Sequence, residues 1–124
     1  MLQGVYIVLD DDFGHPLYAD PPIHETDPDL WHDACEAVND AIEGDAKPDG
    51  VITRGDTLIG YKVLSRFGLS FVALIESGEV GTRDVNAYLN QLSRRYFDEV
   101  DNARHPDKSG VEDVVVDVIP PWDE

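Results

Sequence analysis

The sequence predicts an α/β (α+β) fold: a five-stranded antiparallel sheet in the order 2-1-5-4-3, one helix on each face, and an extended C-terminal tail. Three observations lead there. Two strand-like runs, VYIVL at 5–9 and LSFVALI at 69–75, are apolar at nearly every position instead of alternating. A strand apolar on both sides needs cover on both sides. Two longer stretches carry apolar residues at helical spacing, which supplies that cover. The connections between the other strand-like pieces are short and contain Gly, as antiparallel hairpins require. If the first and fifth strands pair, both two-sided strands fall near the sheet centre and the weaker ones fall at its edges.

The elements follow in order. The apolar run at 5–9 closes on Asp10, Asp11, Asp12, Phe13 and Gly14, which is strand and then turn. HPLYAD at 15–20 reads as a short second strand, and Pro16 suits an edge. Asp27, Pro28 and Asp29 form a helix start, with Asp27 as N-cap and Pro28 at the first helical position. Trp31, Ala34, Cys35, Val38 and Ile42 then recur at helical spacing, and Gly44 is the expected stop. Three strands follow at 51–54, 58–65 and 69–75, joined through Gly55-Asp56 and Phe67-Gly68. Thr82 is the expected cap of a second helix whose apolar face is Val85, Tyr88, Leu89, Leu92, Tyr96, Phe97 and Val100. The last segment, VEDVVVDVIPPWDE, is rich in β-branched residues and closes on Pro120-Pro121, so it is expected to be extended or poorly ordered.

Charge narrows the function. There are 26 acidic residues against 9 Lys and Arg, a net of −17, with 18 Asp among the acids. Such a chain repels itself unless salt shortens the Debye length, to about 3 Å at 1 M. Acid excess with so few Lys is what a cytoplasmic protein of a salt-accumulating microbe shows, so a halophilic archaeal origin is expected in preference to an acidic docking face. Nucleic-acid binding is not expected, because it needs clustered Lys and Arg, and the one adjacent basic pair, Arg94-Arg95, sits inside a helical pattern. The lone Cys35 excludes an internal disulfide and reads as a small apolar group. No stretch is long and apolar enough to insert in a membrane, and a cytoplasmic location is expected.

No catalytic, cofactor or metal site is expected. Asp10, Asp11 and Asp12 lack the Gly and terminal Glu of an EF-hand loop and read as a solvated turn. His15, His24, His32 and His105, with Glu25 and Asp33, show no i, i+4 ligand pair. Ser65, Ser70, Ser77 and Cys35 lie in no Gly-x-Ser-x-Gly turn, and the glycines form no phosphate loop. Arg54 reads as an edge charge that discourages strand aggregation, in preference to an arginine finger. Trp122 follows a Pro pair and docks either on its own domain, the favoured reading, or on a partner.

The order of elements over residues 1–102 resembles the longin domain, within the profilin-like group that includes the roadblock domains. GLSFVALIESG followed by VNAYLNQLSRRYFDEV is similar to the last longin strand and the aromatic-ended helix after it, and GVYIVLDDDFGHPLYAD to the first longin hairpin. A roadblock domain would carry an extra helix before the first strand. The sequence departs from the pattern at its end, where many longin domains place a third helix. Residues 103–124 are expected to be a loop and tail packing on the 1–102 domain. The resemblance implies a non-catalytic docking platform: a regulator or scaffold of a small GTPase or related assembly, with that GTPase or another longin- or roadblock-like chain as partner, or a homodimer. The expected partner-binding residues are Val51, Ile52, Thr53 and Arg54 on an edge strand, with Ile119 and Trp122 in the tail. Two other readings stand beside it: a small ligand- or metal-binding domain or enzyme using His15, His24 and the Asp10-Asp12 turn, and a homodimeric structural subunit.

Overall fold

In the computed structural model, which describes residues 2–76, 78 and 80–123, the apolar run that breaks alternation lies in the middle of the sheet. The strands are β1 (Leu2–Leu9), β2 (Tyr18–Asp20), β3 (Asp49–Arg54), β4 (Thr57–Leu64) and β5 (Leu69–Glu76). Their order is β2-β1-β5-β4-β3, and every pairing is antiparallel. β5 is buried from Leu69 through Ile75. Helix α1 (Pro28–Ile42) covers one face, and α2 (Thr82–Glu99) covers the other together with α3 (Lys108–Asp117). Alternate residues of one strand therefore enter different cores. Phe71, Ala73 and Ile75 join Val5 and Ile7 beneath α2, while Val72 and Leu74 join Tyr6, Ile59, Tyr61 and Val63 beneath α1.

Local chemistry places the ends. Asp27 caps α1 by accepting from the Asp29 N–H at 2.9 Å, with Pro28 at the first helical position. The β3–β4 and β4–β5 turns each need a left-handed residue, supplied by Gly55 (φ 59°) and Gly68 (φ 69°). At α2 the cap is Gly81, one residue earlier than the sequence suggests, and its N–H is accepted by the Asp84 carboxylate at 3.4 Å. β3 begins two residues earlier than expected, and β2 is shorter.

Glycine also sets how closely the layers approach. Gly60 of β4 faces α2, and a methyl group built there would lie 2.3 Å from Val85 Cγ1 and 3.2 Å from Leu89 Cδ1. On the opposite face two tyrosines lie over glycines. A Cβ at Gly50 would meet the Tyr61 hydroxyl at 2.8 Å, and one at Gly4 would meet the Tyr6 ring at 2.9 Å.

The C-terminal segment departs from expectation. Instead of an extended tail it forms α3 and a 3-10 turn at Pro121–Asp123. Val111 and Val114 of α3, with Val118 at its C-cap, are buried in the α2-side core. Each such burial contributes about 1.5–3 kcal/mol, against a helix-propensity deficit of at most about 0.7 kcal/mol per Val. Packing therefore overrides the β-branched composition. The segment does pack on the rest of the chain, against α2 and β2.

Candidate interaction surfaces

β3 ends the sheet, and its free side is the first candidate. The Val63 N–H donates to the Pro48 carbonyl at 2.6 Å, which fixes the phase of the ladder. Bonded pairs alternate with unbonded ones in an antiparallel ladder. Given the register Asp49↔Lys62 through Arg54↔Thr57, Gly50, Ile52 and Arg54 bond to β4. The N–H and C=O groups of Asp49, Val51 and Thr53 therefore point away from the sheet. The pairing shows no bulge, and no proline interrupts the strand.

The side chains along this edge divide between the faces. Val51 packs toward α2 and Ile52 toward α1. Arg54 Nε donates to Asp33 Oδ2 at 2.8 Å, so the guanidinium pins the end of β3 to α1. That contact accounts for Arg54 as a charged edge residue. Val51, Ile52, Thr53 and Arg54 lie together on one continuous strand.

The two tail residues behave differently from each other. Trp122 stacks edge-on against Tyr88 of α2, ring centroids 5.6 Å apart, so it docks on its own domain. Its Nε1 and the Tyr88 hydroxyl are both buried without a hydrogen-bond partner among the described residues. Burial pushes the Tyr88 phenol up to about 12. Ile119 remains 55% exposed, and Val116, on α3, is 75% exposed.

The polar groups weighed from the sequence are scattered. His15 Nδ1 lies 2.9 Å from Asp12 Oδ1 within the first turn, His24 lies beside Glu25, and His32 beside Glu36, all with exposed side chains. Asp10 turns inward, where Ser70 Oγ donates to its Oδ1 at 2.9 Å and burial raises its pKa. Asp11 meets Arg104 at 3.6 Å. The three acids of this turn thus take three different partners. Cys35 is half-buried, with its thiol pushed up to about 11 by burial, so it is protonated at neutral pH. Ser77 lies outside the described residues.

Three features were not anticipated. Asp40, Glu43 and Asp45 bring carboxylate oxygens within 4.8 Å of one another at the end of α1. A groove of about 950 Å³ runs between β2 and the start of α3, lined by Tyr18, Asp20, Arg104, Lys108 and Glu112 among others. Neither His15 nor His24 lines it. Third, Phe67 stands 44% exposed at the β4–β5 turn, against Phe97 of α2. A large aromatic at a turn position was the available sequence signal for it.

Comparison with protein-family models, with curated proteins and with solved structures finds no match. Among the described residues no helix is long and apolar enough to cross a membrane.

Proposed function

We propose that this chain is a non-catalytic protein-interaction module of longin-like type, a regulator or scaffold of a small GTPase or related assembly, and that the β3 edge receives a strand of the partner. The observation that carries the reading is the outward row of main-chain groups at Asp49, Val51 and Thr53 on an uninterrupted edge. Edge addition draws affinity from main-chain hydrogen bonds and leaves selectivity to flanking side chains. Val51 and Ile52, each half-buried, supply apolar contacts on the two faces of such a strand.

A specific feature favours homodimerisation as the second reading. The outward groups are symmetric about Val51. A second copy paired two-fold through Val51 would oppose Asp49 to Thr53, so every outward donor meets an outward acceptor and no two Asp49 side chains face each other.

Thr53→Pro tests both. It removes an outward N–H and leaves the bonds to β4 intact. Wild-type protein, used as bait in a high-salt lysate of its source, is expected to retain a small GTPase or a longin- or roadblock-like chain, and Thr53→Pro to lose it. Sedimentation of the purified protein separates the second reading, with dimer giving way to monomer in the variant. Equal capture by both proteins, or recovery of the bait alone from a monomer, would overturn the edge assignment.

A further inference from the structure

The chain's few cations are unevenly placed. Lys62 on β4, Arg66 in the β4–β5 turn and Arg94 on α2 surround the exposed Phe67, and none forms an ion pair among the described residues. Lys62 Nζ donates instead to Asn90 Oδ1 at 2.5 Å. Asp49 sits opposite Lys62 on β3, and Asp98 one turn beyond Arg94, yet neither is within ion-pair distance of its neighbour. Arg95, the next residue, turns away to Glu99 and Asp117. Lys62, Phe67, Asn90, Arg94 and Phe97 help line a hollow of about 450 Å³ in which no carboxylate takes part.

The aromatic part of the hollow is fixed. The Phe67 ring lies 4.4 Å from that of Phe97, which meets the core residue Phe71 at 6.2 Å. The Arg66 guanidinium lies 5.8 Å from the Phe67 ring centre. The hollow therefore combines a held, partly wet aromatic surface with two lining cations, Lys62 and Arg94, that form no ion pair among the described residues, and Arg66 stands beside its Phe67 ring. In a chain with 26 acids, that is the reverse of the composition around it.

We infer that this hollow is a docking site for an acidic segment of a partner protein that carries an apolar or aromatic anchor. Carboxylates would be drawn to Lys62, Arg66 and Arg94, while the anchor covers Phe67 and Phe97. The remaining acidic surface repels the same segment, which confines it to this place. The site is separate from the β3 edge, and Thr53→Pro leaves it intact.

The test is a fluorescence-anisotropy titration at 0.1 M KCl with a labelled peptide of about eight residues, Asp- and Glu-rich around one Trp. Its analogue with Asn and Gln in place of the acids is the comparison. The acidic peptide is expected to bind the wild type more tightly than the analogue does. Arg94→Glu and Phe67→Ser are each expected to weaken it at least about tenfold, and Lys108→Glu, in the groove beside β2, less than about twofold. Arg94 is exposed, so an unchanged urea midpoint for Arg94→Glu shows that its loss of binding is not a loss of fold. No preference for the acidic peptide, undiminished binding to both variants, or tighter binding of a single-stranded oligonucleotide would overturn the assignment.

Discussion

Replacing Gly60 by Ala places a methyl group 2.3 Å from Val85 Cγ1, where carbon atoms in contact settle at about 3.5–4.0 Å. Val85 belongs to the first turns of α2 and is fully buried, so it has no solvent to move into. Either α2 retreats from β4 by more than about 1 Å, or the side chain leaves its rotamer. Overpacking of this kind costs about 1–3 kcal/mol. The lower chain entropy of Ala returns roughly 0.5–1 kcal/mol, which leaves between about 0 and 2.5 kcal/mol, and an approach as short as 2.3 Å to a buried side chain places the net loss near 1–2 kcal/mol. Val85→Ala alone deletes two buried methyl groups, at about 0.5–1.5 kcal/mol each. In the double variant the new methyl fills space that Val85 vacates, so the two losses should not add, and a coupling of at least about 1 kcal/mol is expected. Urea unfolding followed by Trp31 and Trp122 fluorescence measures all four corners, and 1–2 kcal/mol corresponds to a midpoint shift of roughly 0.5–1 M. Gly78→Ala is the control, because a methyl there meets nothing within 4 Å. A Gly60→Ala variant as stable as the wild type, or strictly additive losses, would refute the account of α2 docking on a glycine.

Two other outcomes follow from the same structure. Burial pushes the Tyr88 and Tyr96 phenols up to about 12, so the folded state holds both protons more tightly than the unfolded chain does. Their contribution is complete below about pH 10 and is lost as pH rises toward 12, at about 1.4 kcal/mol per pKa unit for each. Absorbance at 295 nm should show these two tyrosines ionising together with unfolding; ionisation near pH 10 in a still-folded chain would refute the burial argument. The net charge of −17 makes stability rise with salt. Like charges 10 Å apart repel by about 0.4 kcal/mol in water, and several such pairs are screened between 0.1 and 1 M KCl, so a gain above about 1 kcal/mol is expected. A urea midpoint that falls with KCl would show that attraction, not self-repulsion, dominates the surface.

The sheet was legible because its signals are local and redundant. Residues 69–75 are apolar on both faces, Gly55 and Gly68 mark the hairpins, and Asp27-Pro28 opens a helix, each pointing to the same topology. The C-terminal helix was hidden by its neighbours. Val111, Val114 and Val118 have helical spacing, but Val115 and Val116 between them blur it into a strand-like run. What resolves the ambiguity is the α2-side core, a surface no local pattern reveals. That Val51, Ile52, Thr53 and Arg54 lie on an edge strand was legible because an edge is a topological property. The contact of Arg54 with Asp33, 21 residues earlier, was not. Nor was the grouping of Lys62 and Arg94 around Phe67, which depends on how α2 lies across β4.

The tyrosines lying over Gly4 and Gly50 bear on how the two sides of the sheet tolerate change. One helix is narrower than five strands, and α1 is the one α-helix described on its side of the sheet. Tyr6 and Tyr61 act there as shingles, each ring occupying the space beside a position without a side chain. A shingle and its bare position form a unit: a methyl on the glycine lifts the ring, and a smaller residue at the tyrosine uncovers the backbone. Opposite, Val85 and Leu89 of α2 close on Gly60 while α3 adds its valines to the same core, so a change at one point is felt through two helices. On the α1 side the two pairs differ: Tyr6 is fully buried and meets Trp31 and Thr26, so a change at Gly4 reaches α1, whereas Gly50 lies on the edge strand. Sequence drift should therefore be absorbed first around Gly50, on the edge strand, and last around Gly4 and Tyr6 and along the line from Gly60 to Val85.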